Sequence, residues 1–357
     1  MDEYEFEVEN DEIFGGLIYK NVLGLKATCI SVFQKNEKSD EEIKAYLDSE
    51  STEVGSYGHI YIDMCDNLIK SFCDGIEECF AEDDKLEKEE EKLFSEHLQS
   101  SWGIGIAWMK QYRRKCFEIW NSWKWYIKRE CISMKNPYTY AALQAIHGKA
   151  MLVYAEIICL LENGFPDGAY AHYRSLYELW AVAEFLHNDS DEVSKAFIES
   201  IDSKSNSESG HYKWAKKSNR FTDKEEVIIS NIVSEAHKTF SNNFDKPISN
   251  TKLKKVYTFP NRIIHPSAEG VFRRTSYATV EGVGVTIGRA DNGLATPAIN
   301  SSFTMYNITR LFLSVDVNPV SAIGIRVLDN IIGKKIAPFF EEIHKEEQQY
   351  LIKAESK

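Results

Sequence analysis

TYAALQAIHGKAMLVYAEIICLLENGFPDGAYAHYRSLYELWAVAEFL, residues Thr139–Leu186, decides the fold. Its first half, Thr139–Glu162, carries Leu143, Ile146, Met151, Leu152, Ala155, Ile158, Cys159 and Leu161 with few charges. Apolar residues at helical spacing with so little charge predict a helix at the centre of the protein. Asn163-Gly164 is a helix stop, and Pro166 suits the first turn of a second helix, expected over Asp167–Leu186. The short connection makes the two helices antiparallel neighbours.

Upstream, residues 1–56 are mixed and cannot be resolved by periodicity, with an acidic start over Asp2–Glu12 and a turn at Ser51–Ser56. From Tyr57 to Leu98 the pattern is helical, with Ile60, Met64, Leu68 and Phe72 on one stripe. The charged run Asp83–Lys92 reads as a solvated face. Trp102, Trp108, Trp120, Trp123 and Trp125 follow, interleaved with Arg113, Arg114, Lys115, Lys124, Lys128 and Arg129. Aromatic and basic side chains together can bind single-stranded nucleic acid by stacking. Tryptophans at helical spacing more often form core, with basic stems lying over them.

Downstream, helices are expected over Val193–Ile201, Asp223–Phe240, Phe303–Leu313 and Ala322–Tyr350, with Thr222 capping the second. Val283–Gly288 resembles a strand and Asp291-Asn292-Gly293 a turn, which together predict a small hairpin. The fold class is therefore mainly α: a helical bundle with a small β-hairpin insertion near 270–300. A Trp-rich helical region over 1–130 precedes the main helical domain over 131–350. A Rossmann or barrel architecture is excluded by the scarcity of strands.

The net charge of -13 excludes a general nucleic-acid coat, so any anion site must be a local cationic pocket in an acidic body. No apolar run reaches the roughly 18–20 residues that span a bilayer, and the start lacks a basic signal-peptide region. Seven cysteines, an odd number without a CxxC pair, point to a reducing cytoplasm and away from disulfides or zinc. Cys159, inside an apolar helical run, is expected to behave as a small hydrophobe.

Two constellations could carry chemistry. The first is Asn261-Arg262-Ile263-Ile264-His265-Pro266-Ser267. Pro266 disfavours helix at His265, so a helical turn ends there. Within that turn Arg262 and His265 lie on the same side and could meet one phosphate. Arg supplies a fork of donors and His moves a proton near neutral pH. Arg273-Arg274 could add charge to the same pocket, although adjacent arginines are more often solvated. The second constellation is the helix face Tyr170, Arg174 and Glu178. Arg174 and Glu178 are a potential ion pair in the weaker of the two i,i+4 orders. If buried, the pair would organise hydrogen bonds to neighbouring helices, or simply fix their packing. No Walker A, HExxH or GxSxG motif occurs, His211, His237 and His344 are isolated, and no metal or cofactor is expected.

Taken together, Gly168-Ala-Tyr-x-x-Tyr-Arg-Ser-Leu-Tyr-Glu178 and the downstream His265-Pro266-Ser267 element resemble a bacterial domain of unknown function among the HEPN-like helical proteins. The resemblance covers about Tyr138 to Ile343. It implies a metal-independent ribonuclease of a prokaryotic toxin or antiphage defence system, working as a dimer. Arg262, His265, Arg174 and Glu178 would be catalytic, and Asn261, Tyr170, Arg273 and Arg274 would contact RNA. The usual signature of that superfamily separates Arg from His by four to six residues. Here only Ile263 and Ile264 intervene, and Asn261 precedes the Arg. That departure is compatible with a variant site in which Arg174 holds the phosphate, or with one that binds and does not cut. The implied partners are RNA, a second copy or a defence-system protein, with no membrane. The alternative function is a non-catalytic interaction or sensor module, which the acidic body and the Trp-rich N-terminal third favour.

Overall fold

The computed structural model describes residues 56–130, 133–202, 211–242, 249–264, 277–279, 282–284 and 288–345. They are mainly α-helical. By its contacts the chain divides into Met1–Glu91 and Lys92–Lys357. Helix α1, Ser56–Arg129, is one continuous element. In the first unit its described side chains are almost all exposed charges, tied locally by pairs such as Lys88 Nζ–Asp84 Oδ2 at 2.6 Å.

In the larger unit the α2 and α3 hairpin is central. Helix α2 spans Pro137–Glu162 and α3 spans Pro166–His187, each with Pro in its first turn. Proline costs nothing there, because its missing N–H has no helical acceptor. The C-terminus of α2 closes with two reverse bonds: Phe165 N–H to Leu160 O at 2.8 Å and Gly164 N–H to Leu161 O at 3.2 Å. This turn requires the left-handed backbone that Gly164 adopts at φ 73°. A Cβ at Gly164 would also meet the Phe94 ring at 2.7 Å. Leu160 lies against Gly168, and Glu156 Oε2 against His172 Nδ1 at 3.0 Å. Those pairings run in opposite chain directions, so the helices are antiparallel as expected.

Helix α4, Asp191–Glu199, docks on the start of α2. There Asp191 Oδ1 accepts from Thr139 N–H and Oγ1 at 2.8 and 3.0 Å. Helices α5, Ile229–Asn242, and α6, Asn250–Ile264, cover another side of α3. Pro260 lies inside α6 and removes one rung of its hydrogen-bond ladder. Helix α7, Ala295–Leu313, packs on both α2 and α3. Its polar side chains find partners in α2: Ser302 with Tyr154 at 2.8 Å and Thr309 with His147 at 3.2 Å. Helix α8, Pro319–Ile331, starts with an Asn318/Ser321 capping box and continues into a π-helical turn over Ile332–Ile336.

Several expectations are corrected. The stripe on α2 is rotated: Leu152 and Cys159 are exposed, while Ala142, Ala150, Val153, Tyr154 and Ile157 are buried. A helix contacted on several sides buries more than one stripe. Helix α5 begins only at Ile229, because Ile228 N–H is capped by Asn231 Oδ1 and Val227 O is taken by Tyr212 N–H. Helix α7 begins eight residues before the expected Phe303. The hairpin expected from Val283–Gly288 and the Asp291-Asn292-Gly293 turn is not supported. The strand segment in the described residues is a three-residue ladder, β1 Tyr277–Thr279 with β2 Gly282–Gly284, and Asp291-Asn292-Gly293 leads into α7 instead of closing a hairpin. By length and composition α2 would suffice to cross a bilayer, which the reading of apolar runs missed; here it packs against α3, α4 and α7.

By their contacts residues 92–129 belong with the larger unit. Their tryptophans explain this. Trp102 and Trp123 are buried, with Trp123 4.9 Å from Phe312 and 5.7 Å from Tyr140. Trp120 lies under Lys124, and exposed Trp125 lies under Arg129. The segment is mostly core with basic stems over it. Trp123→Ala should therefore cost about 3–5 kcal/mol of stability. Trp125→Ala should stay within about 0.5 kcal/mol. Denaturant unfolding of the two variants measures the contrast, and similar losses would mean that the buried assignment is wrong.

Candidate functional site

Helix α3 is surrounded by α2, α5, α6 and α7, with a lighter contact to α4. A polar group on such a helix must find partners or reach solvent. Arg174 and Glu178 do both. Arg174 Nε donates to Glu178 Oε1 at 3.1 Å, and both side chains stay about a quarter exposed, at 29% and 27%. The same Oε1 accepts the Tyr257 hydroxyl of α6 at 3.1 Å. Glu178 thus ties its own helix to α6 while orienting the guanidinium. Burial first, and then the Glu178 charge, raise the Tyr257 phenol above its ordinary range, so it remains a protonated donor. Tyr212 is raised by the same two causes, which places it in the field of the same carboxylate.

Beside this ion pair lies an aromatic cluster. Tyr177 stacks on Tyr257 at 5.5 Å, and its hydroxyl meets His237 Nε2 at 2.8 Å. His237 also stacks on Trp180 at 6.1 Å. Burial lowers its imidazole to about 4, so it is neutral at pH 7 and serves as a hydrogen-bonding partner rather than a cation. Burial likewise drives the Tyr177 phenol upward.

Tyr170 is buried edge-on against Phe259 of α6, at 5.6 Å. Phe259 faces Tyr170 while Tyr257 faces Tyr177, so α3 and α6 run in opposite senses. Arg262 is exposed on the last turn of α6. It lies five residues beyond Tyr257, about 7.5 Å further along the helix axis. Helix α6 is described as far as Ile264, and the stop expected from Pro266 lies outside the described residues. His265, Arg273 and Arg274 fall outside the described residues, as does the side chain of Asn261. The structure therefore brings together Arg174, Glu178 and the helix that leads to Arg262. It adds Tyr257, Tyr177 and His237, which sequence reading passed over. His237 looked isolated because its partners come from α3, about 60 residues earlier in the chain. The only available signal was its place on an amphipathic helix. Among the described residues no cluster of His, Cys, Asp or Glu could hold a metal ion.

Arg174 is held by the Glu178 carboxylate and stays 29% exposed, so an anion can approach its guanidinium. A planar fork held by a carboxylate is preorganised for a phosphate. The sequence pattern of a family of unknown function (DUF5677) matches residues 140–276. That span runs from α2 to just beyond α6 and contains Arg174, Glu178, His237, Tyr257, Arg262 and His265. No curated protein matches the chain, and no solved structure does.

The buried histidines set a pH dependence. His147 and His237 are both lowered to about 4 by burial, against about 6.5 when unfolded. Between those values the unfolded chain binds protons that the folded chain refuses, so their contribution to stability is lost as pH falls below about 6.5. Glu184, raised by burial to about 7, acts in the opposite sense over the same window. His237→Gln, which keeps a polar partner for Tyr177, should narrow the drop in Tm between pH 7.5 and pH 5 relative to wild type. Thermal unfolding at the two pH values checks this; an unchanged drop would remove His237 from the buried set.

Proposed function

We propose that this chain is a metal-independent endoribonuclease of a prokaryotic toxin or antiphage defence system, acting as a homo-oligomer in the cytoplasm. What supports the reading is the double hydrogen bond at Glu178. It holds the Arg174 helix to α6, the helix that carries Arg262, three residues before His265 in the sequence. The HEPN-like resemblance of the same elements points the same way.

In this reading Arg174, oriented by Glu178, and Arg262 hold the scissile phosphate and stabilise the charge that develops on its oxygens. His265 takes the proton from the ribose 2′-OH. The 2′ oxygen attacks phosphorus, the bond to the 5′ oxygen breaks, and a general acid returns a proton to that leaving oxygen. The products are a 2′,3′-cyclic phosphate and a 5′-hydroxyl. Because the nucleophile belongs to the substrate, the route needs no metal. Asn261, Arg273 and Arg274 extend the RNA contact. Tyr170 contributes through helix packing.

A second reading, a non-catalytic interaction or sensor module, is favoured by an exposed apolar stripe. Val317, Ile323 and Val327 lie on or beside α8 with their side chains in solvent. An apolar stripe of this kind suits a protein partner.

The test is RNA cleavage by the purified chain in EDTA, with end-group analysis. His265→Ala, Arg262→Ala and Arg174→Ala should each lower the rate by at least about 10²-fold while Tm is retained. Cleavage should leave a cyclic phosphate. Cellular RNA left intact by wild type, both purified and when expressed, would transfer the function to the second reading.

A further inference from the structure

Arg174 and Glu178 occupy one face of α3. The adjoining face carries Tyr173, Tyr177 and Trp180, and it borders a cavity of about 130 Å³. Asn300, Thr304 and Asn307 of α7 line the opposite wall. Phe303, itself 42% exposed, lies at the rim. The volume is close to the roughly 150 Å³ of an engineered cavity that takes benzene. It therefore fits one six-membered ring.

The walls specify more than size. Three aromatic side chains on one helix face favour a flat ligand. Among the described residues no charged side chain lines the cavity, which favours an uncharged ligand. Trp180 is 3% exposed, and among the described residues its indole N–H has no acceptor. A buried donor without a partner is uncommon and marks a place for an acceptor atom. The Tyr173 hydroxyl, 1% exposed and beside Thr304, likewise makes no well-formed hydrogen bond. Asn300 and Asn307 stand two turns apart on α7, so their amides share a side. Asn307 Nδ2 donates to Phe303 O at 3.1 Å, which leaves its amide oxygen to accept. The cavity thus presents donors and acceptors together around a flat space.

We propose that this cavity binds an uncharged single-ring heterocycle bearing both ring C=O and ring N–H groups, of the uracil type. The ring arrives either as a free base or nucleoside or as an unstacked pyrimidine nucleotide of RNA. Trp180 Nε1 donates to a ring carbonyl, the asparagine amides read the N–H and C=O edge, and Tyr173 and Tyr177 contribute the aromatic wall. The RNA-borne form rests on the ribonuclease reading; the ring site itself does not. Tyr177 touches both regions, since it lines the cavity and stacks on the Tyr257 that binds Glu178. A base seated here would carry its phosphate toward Arg174.

Isothermal titration of the full chain with uracil, uridine and adenine tests the site. Uracil and uridine should bind and adenine should not. Trp180→Phe removes the N–H while keeping an aromatic ring, and Asn300→Ala removes one amide from a half-exposed position. Each should weaken uracil at least about tenfold, while its ligand-free unfolding stays cooperative. Oligouridine that competes with uracil, where oligoadenosine does not, identifies RNA as a source; free uracil binding without such competition identifies a soluble ligand. Absence of uracil, uridine and oligouridine binding overturns the site, whatever the cleavage assay shows. Equal binding of adenine, or unchanged uracil affinity in both variants, overturns it too. Uracil binding by a chain that cuts no RNA upholds the pocket and removes only the ribonuclease reading.

Discussion

The rest of the structure depends on the burial of α3. Helices α2, α5, α6 and α7 all pack on it, and Ala181, Ala183, Phe185 and Leu186 have no accessible surface. At about 25 cal/mol per Å² of apolar surface, a helix covered on several sides gains more than any solvent-facing helix of equal length. The same burial makes each polar group on α3 costly unless it is partnered. Glu184 shows the cost. It is 0% exposed, its Oε1 accepts from Asn188 Nδ2 at 3.1 Å, its Oε2 has no partner, and its acidity shifts to about 7.

That constraint also organises the candidate site. Arg174 and Glu178 cannot be enclosed as a bare ion pair, because desolvating both charges would outweigh their attraction. They sit where α6 leaves them partly open, and Tyr257 supplies one further hydrogen bond. One turn away, where α5 and α7 close over the helix, the exposed polar face gives way to aromatic rings and a neutral imidazole. A cationic edge beside an uncharged aromatic cavity is therefore one consequence of the way neighbours are distributed around a single helix. In the proposed readings the two parts hold different groups: phosphate at the edge, a flat neutral ring within.

Local pattern and environment are separable in this chain. Helix α2 and the reverse turn at Gly164 were legible because proline position, glycine position and apolar spacing act within a few residues. The Arg174–Glu178 pair was legible for the same reason, since residues four apart on a helix are neighbours in any fold. The tryptophans of 102–125 were ambiguous. Their pattern is that of core or of a stacking surface, and only contact with Tyr140, Phe312 and Phe340 separates the two. The turn signal at Asp291-Asn292-Gly293 was real as a turn. What it joined was set by α7, whose helix begins at Ala295.

The sequence by itself determined a mainly helical protein, the central antiparallel hairpin and the ion pair on α3. Each rests on backbone sterics or on spacing along one helix. Only the tertiary structure decided that Glu178 binds Tyr257, that His237 is a buried neutral partner of Tyr177, and that Tyr173, Tyr177 and Trp180 meet Asn300 and Asn307 around a cavity. Those groups lie far apart along the chain. Their meeting depends on how helices cross and fill space, and no short-range periodicity encodes that.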